Sequence, residues 1–101
     1  MEKIKVEAKE VEDYGVYFPK KLKVFGNRMV INRDKILKDD IKLFDVILHE
    51  LLHHLVDKCN ITTMEGVATV VANKWEELNA RAREIEQRIN NKETSFMISE
   101  L

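Results

Sequence analysis

Apolar and polar residues keep a period of two over the first third of this chain and a helical period after it. Residues 3 to 8 alternate, with Ile4, Val6 and Ala8 on one side and Lys3, Lys5 and Glu7 on the other. That is the pattern of a half-buried strand. Tyr14 to Phe18 is a short aromatic and β-branched run ending at Pro19, which suits a strand end or a sheet edge. Leu22 to Phe25 and Arg28 to Asn32 flank Gly26-Asn27, a two-residue turn signal that predicts a β-hairpin. The first third therefore reads as a small antiparallel sheet.

The period changes at about Asp40. From there to Asp57, the residues Ile41, Phe44, Leu48, Leu51, Leu52, Leu55 and Val56 fall on one helical arc, and Asp39 or Asp40 is the expected N-cap. A break follows at Lys58 to Ile61. Thr62-x-x-Glu65 has the form of a capping box and opens a second helix. Its apolar stripe runs Met64, Val67, Val71, Trp75, Leu78, Ala82, Ile85 and Ile89, and Trp75 reads as core. Glu77/Arg81 and Glu84/Arg88 sit four apart in the favourable order. Asn90-Asn91 is the expected stop, and residues 92–101 read as a loose tail. The expectation is an α+β fold in one domain, residues 1–101: a small N-terminal antiparallel sheet, a helix carrying the site, and a long C-terminal helix.

Composition narrows the classes. With 45% apolar and 35% charged residues in a chain of 101, a folded core is expected and disorder is not. Lys+Arg 17 against Asp+Glu 18 gives no strong pull toward nucleic acid or a membrane surface. The locally basic stretch from residue 20 to 38 reads as a solvated surface. No apolar run reaches membrane-spanning length, and Met1-Glu2-Lys3 does not open a signal peptide. One cysteine, Cys59, cannot close an internal disulfide. The expectation is a cytoplasmic protein with Cys59 reduced.

Candidate chemistry lies in His49-Glu50-Leu51-Leu52-His53. Four residues apart on a helix, the two imidazoles project about 40° from each other, one turn apart. Such a pair can hold Zn²⁺, and Glu50 beside it can act as general base on a metal-bound water. Three histidines and one cysteine are a poor supply for a closed structural site, so two histidines, a carboxylate and an open water position are expected. Glu65, early in the second helix, is the favoured third ligand. Glu77 is the alternative; Glu76 and Glu77 stand roughly 17 Å further along a continuous helix at 1.5 Å per residue. Asp57 is a candidate for orienting an imidazole, and Tyr14 or Tyr17 for stabilising an oxyanion. The bland readings are a solvated helix-end carboxylate and edge or core aromatics. His54, about 100° round from His53, reads as a bystander.

Met29-Val30-Ile31-Asn32, then Val46-Ile47-Leu48-His49-Glu50-Leu51-Leu52-His53, then Glu65-x-x-Ala68-x-x-Val71-Ala72-Asn73 together resemble the small phage- and prophage-type zinc metallopeptidases. More distantly the chain is similar to the ImmA/IrrE group, to gluzincins at large and, in length, to minigluzincins. The resemblance covers roughly residues 24 to 80. It implies His49 and His53 as zinc ligands, Glu50 as base and Glu65 as third ligand; Glu77-x-x-Ala80 keeps Glu77 as alternative. Since some minigluzincins are latent, the resemblance also implies a tail, Thr94 to Leu101, able to cover the cleft. The expected function is zinc-dependent hydrolysis of a polypeptide substrate, with no nucleic acid and no membrane insertion. The alternatives are a non-catalytic zinc-binding regulatory module and a metal-free helical interaction module.

Overall fold

The alternation in the first strand is used as the sequence suggests. Ile4 and Val6 have no exposed surface, and Lys3 and Lys5 are exposed. The computed structural model describes residues 3–19 and 27–101. Within them, strands β1 (Lys3–Ala8), β2 (Gly15–Phe18), β3 (Arg28–Ile31) and β4 (Ser95–Ser99) form a sheet in the order β2-β3-β1-β4. Helices α1 (Arg33–Lys38), α2 (Leu43–Lys58), α3 (Met64–Asn73) and α4 (Trp75–Asn90) complete an α+β fold. No described helix is long and apolar enough to cross a membrane.

The sheet is mixed rather than antiparallel. After β1 the chain runs to the far edge, forms β2, and returns as β3 between β2 and β1. That path makes β1 and β3 parallel, Val6 opposite Met29 and Ala8 opposite Ile31. The other two pairings are antiparallel. Both sides of β3 are thus occupied, by β2 and by β1. The expected strand Leu22 to Phe25 and Gly26 of its turn lie outside the described residues, as does part of the basic stretch.

Period-two patterning gives the sheet two unlike faces. Ile4, Val6, Met29, Ile31, Phe96 and Ile98 join Leu43, Val46, Ile47, Leu51 and Leu55 of α2 and Leu78, Ala82, Ile85 and Ile89 of α4 in one core. Truncating any fully buried aliphatic there, Leu51 for example, costs about 2–5 kcal/mol. On the outer face, Arg28 Nε donates to Glu7 Oε1 at 2.5 Å, and its guanidinium lies 5.0 Å from the Phe18 ring centre. Burial pushes the Glu7 carboxyl up. The Arg28 hydrogen bond and charge, with Lys9 and Lys5, outweigh burial and hold it below its ordinary 4.5.

Three helical expectations are corrected. First, a short helix, α1, precedes the site helix. Asn32 caps it, accepting from the Lys35 backbone at 3.3 Å. Asp39 is its C-cap and Asp40 takes φ 55°, so neither caps α2, which starts after Lys42 with no side-chain cap. Second, the long second helix is two helices. The chain leaves helical geometry at Lys74, φ −112° and ψ 17°, after the β-branched Thr69-Val70-Val71 run. Thr63, not Thr62, caps α3, accepting from Gly66 N at 3.0 Å, which removes Glu65 from the capping box. Third, the apolar stripe is buried only from Leu78 onward. No residue of α3 is buried, and Met64 and Trp75 are 82% and 49% exposed. Trp75 is therefore not core.

The expected loose tail is strand β4. Phe96 and Ile98 alternate with Met97 and Ser99, and that period of two sends both large side chains into the core. Arg81 Nε donates to the Ser99 carbonyl at 2.9 Å, and an Arg88 η-nitrogen to Met97 at 3.2 Å. These bonds tie the strand to α4.

Candidate active site

One wall of the principal cleft is α2, and the other is β2 with the bend before it. The cleft encloses about 580 Å³ and is lined by Asp13, Tyr14, Gly15, Val16, Tyr17, Asp45, Val46, His49, Glu50 and His53. Gly15 and Tyr17 pair with Ile31 and Met29, so both belong to the sheet face that meets the helices. A Cβ on Gly15 would stand 3.2 Å from Glu50 Cγ, Glu50 Oε2 and Val46 Cγ1. Absence of a side chain there is what lets strand and helix approach at Glu50. Val46 and Glu50 meet Gly15, and His54 meets Tyr17, so α2 and β2 advance in the same direction.

The expected imidazole pair is formed. His49 Nε2 and His53 Nε2 are 3.1 Å apart, their ring centres 4.8 Å apart at an interplanar angle of 78°. Both residues are exposed, whereas Glu50 between them keeps 5% of its surface. Burial pushes the Glu50 carboxyl above its ordinary value, positive charge on His49 and His53 pulls it down, and Asp13 from the facing wall adds to the rise. A carboxylate so placed holds a proton more readily than one in water, the property wanted of a general base.

The donor set can be tested against zinc on that nitrogen pair. At a zinc–nitrogen distance of about 2.05 Å, a separation of 3.1 Å subtends about 98° at a shared metal. This lies between octahedral and tetrahedral angles, so the nitrogen separation is compatible with a shared metal; the same distance is also that of a hydrogen bond between the two rings. A ready-made third ligand is not beside them. Among the described residues no three His, Cys, Asp or Glu side chains form a group able to hold a metal. Glu65 is exposed in the first turn of α3, and Glu77 of α4 pairs with Lys74 at 3.7 Å. Neither lines the cleft.

The remaining candidates have other partners. The Tyr14 hydroxyl donates to Asp39 Oδ2 at 2.6 Å. Tyr17 donates to Asn27 Oδ1 at 3.1 Å and lies 2.8 Å from His54 Nδ1. Burial, then the charges of Asp57 and Glu100, push the Tyr17 phenol up. An oxyanion role for either tyrosine would need those bonds released. His54 is 1% exposed and packs in the core, with Glu100 Oε2 3.5 Å from its Nε2. Asp57 is half-buried near Tyr17, and Cys59 is an exposed free thiol. The tail does not cover the cleft: β4 is at the opposite edge of the sheet from β2, and no described residue after His53 lines the cleft.

Asp13, Gly15, Asp45 and Val46 were not singled out from the sequence. Asp45 had a signal, since it precedes His49 by four residues on one helical stripe. Asp13 and Gly15 arrive by tertiary folding and had none. No protein-family model matches this chain, and no curated protein or solved structure matches it.

Proposed function

We propose that this chain is a zinc-dependent metallopeptidase in which Glu50 is the general base and His49 and His53 hold the metal through Nε2. The observation that carries the reading is the imidazole pair, 3.1 Å apart, flanking a carboxylate that is 5% exposed and lines an open cleft. Zinc supplies Lewis acidity toward a water and a scissile carbonyl. Glu50 accepts a proton from the attacking water and returns it to the leaving amine. Strand β2 ends the sheet, and its outer edge has no strand partner among the described residues. An extended polypeptide can add to that edge by main-chain hydrogen bonds, its scissile bond over Glu50.

Zinc retention after dialysis, together with turnover of an unfolded protein substrate, tests the reading. Glu50→Gln is expected to keep the metal and lose turnover. Metal retained by both proteins with turnover in neither points to the non-catalytic zinc-binding module. Wild-type protein that retains no zinc refutes the proposal. Zinc affinities of Glu65→Ala and Glu77→Ala, measured in parallel, test the two candidate third ligands.

A further inference from the structure

Among the described residues, the charges on the cleft wall are all of one sign. Asp13, Asp45 and Glu50 line it, with two histidines and no described lysine or arginine. Asp13 and Asp45 are exposed, and neither has an ion pair among the described residues. Lys35 approaches lining residue Tyr14, its Nζ 5.1 Å from the ring centre, but that ammonium donates to the Glu12 carbonyl at 2.8 Å. Glu50 adds a second kind of observation. Its side chain is more than nine-tenths buried, faces the cleft, and has no hydrogen-bond partner among the described residues.

The two aspartates also share an end. Asp13 lies two residues before Gly15, and Asp45 immediately precedes Val46, which meets Gly15. Because α2 and β2 advance together, both carboxylates stand at the upstream end of the cleft, and His53 and Tyr17 at the downstream end. A chain laid along β2 therefore passes, among the described residues, two carboxylates without an ion pair on the upstream side of Glu50.

We propose that the cleft selects a polypeptide with lysine or arginine at the positions that lie over Asp13 and Asp45, to one side of the bond over Glu50. This rests on reading the cleft as a peptide site, and it deepens that reading from polypeptides in general to basic ones. Two carboxylates facing a partly solvated cleft discriminate by charge without a dedicated pocket. The preference should weaken as salt screens them.

Binding can be read without turnover. Fluorescein-labelled extended peptides, identical except for Lys-Lys, Gln-Gln or Glu-Glu on one flank, are titrated with the full chain in EDTA and followed by anisotropy. The lysine peptide should bind about tenfold more tightly than the glutamine peptide at about 50 mM salt, and the glutamate peptide most weakly. In Asp13→Asn/Asp45→Asn, whose replacements are exposed and nearly isosteric, the three affinities should converge. Equal affinities in the wild type, a preference that survives in the double variant, or no binding of any peptide overturns the proposal. Zinc retention and turnover on the same preparations judge the peptidase reading separately, since the binding measurement needs neither.

Discussion

Replacing Gly15 by alanine puts a methyl group where strand and helix come closest. The new Cβ would sit 3.2 Å from Glu50 Cγ, Glu50 Oε2 and Val46 Cγ1. Unstrained carbon contacts lie at about 3.5–4.0 Å, so a few tenths of an ångström must be found at the two carbons, with the oxygen crowded beside them. Val46 is 9% exposed on α2 and, being β-branched in a helix, has no ready second rotamer. Glu50 can yield, but only by turning toward the cleft. Overpacking of this kind costs about 1–2 kcal/mol, which in a chain of this size lowers the melting temperature by about 4–8 °C for each kcal/mol. The mechanism is specific enough for a double-mutant cycle in urea. Glu50→Ala removes two of the three crowded atoms and should reduce the Gly15→Ala penalty by about 0.5–1 kcal/mol. Displacing the base by a few tenths of an ångström should also lower turnover, by less than the roughly hundredfold of a misplacement of about 1 Å. An equal Gly15→Ala penalty in both backgrounds would show that Glu50 is not the wall the strand meets, and the account of the cleft would fail.

Other consequences can be measured directly. Glu50→Gln replaces a buried carboxylate lacking a hydrogen-bond donor, so the metal-free variant should be more stable than wild type in urea by about 0.5–1 kcal/mol, a figure reduced for its access to cleft water; a loss of stability would count against that burial. Tyr17→Phe removes the hydroxyl between Asn27 and His54 and leaves buried polar groups behind, which should cost about 1–3 kcal/mol and show as a lower urea midpoint at an unchanged slope. Glu7 is held below its ordinary 4.5, so its contribution is present above that value and is lost as pH falls through its lower folded value. Acid titration of stability should therefore be flatter below 4.5 in Glu7→Gln than in wild type, with a difference of at most about 1 kcal/mol for a partly exposed pair; identical profiles would remove the ion pair from the account.

Local periodicity carried much of this architecture. The alternation at Ile4 and Val6 and the stripe from Leu78 to Ile89 each identify a buried face, because strand and helix periods are properties of neighbouring residues; of the arc expected from Ile41 to Val56 only Leu51 and Leu55 are buried, and the buried face of α2 is turned toward Leu43, Val46, Ile47 and His54. The imidazole pair was legible for the same reason: His49 and His53 meet by helical spacing alone. What the chain withheld depends on long-range partners. That β1 pairs in parallel with β3 follows from the path through β2, and no local pattern encodes it. Met64 and Trp75 continue the apolar stripe in sequence but not in space, since the turn at Lys74 takes α3 off the core. Ser95–Ser99 carries a strand pattern too short to be distinguished from a tail until β1 is there to receive it. Gly15 and Asp13 belong to the cleft only because α2 packs across β2.

The pairing of Lys3 with Ser99 has a consequence for how the molecule is made. Strand β1 gains one of its two neighbours only when Ser95–Ser99 has left the ribosome. Until then Ile4 and Val6 lack Ile98 and Phe96 opposite them, and β1 presents an open hydrogen-bonding edge that other nascent chains can join. Closing a loop of some ninety residues also gives this pairing a high contact order, which slows the final step. Pairing of β1 with β4 should therefore be a late step of folding, and chains cut before residue 95 should remain sensitive to protease while chains that include β4 resist it.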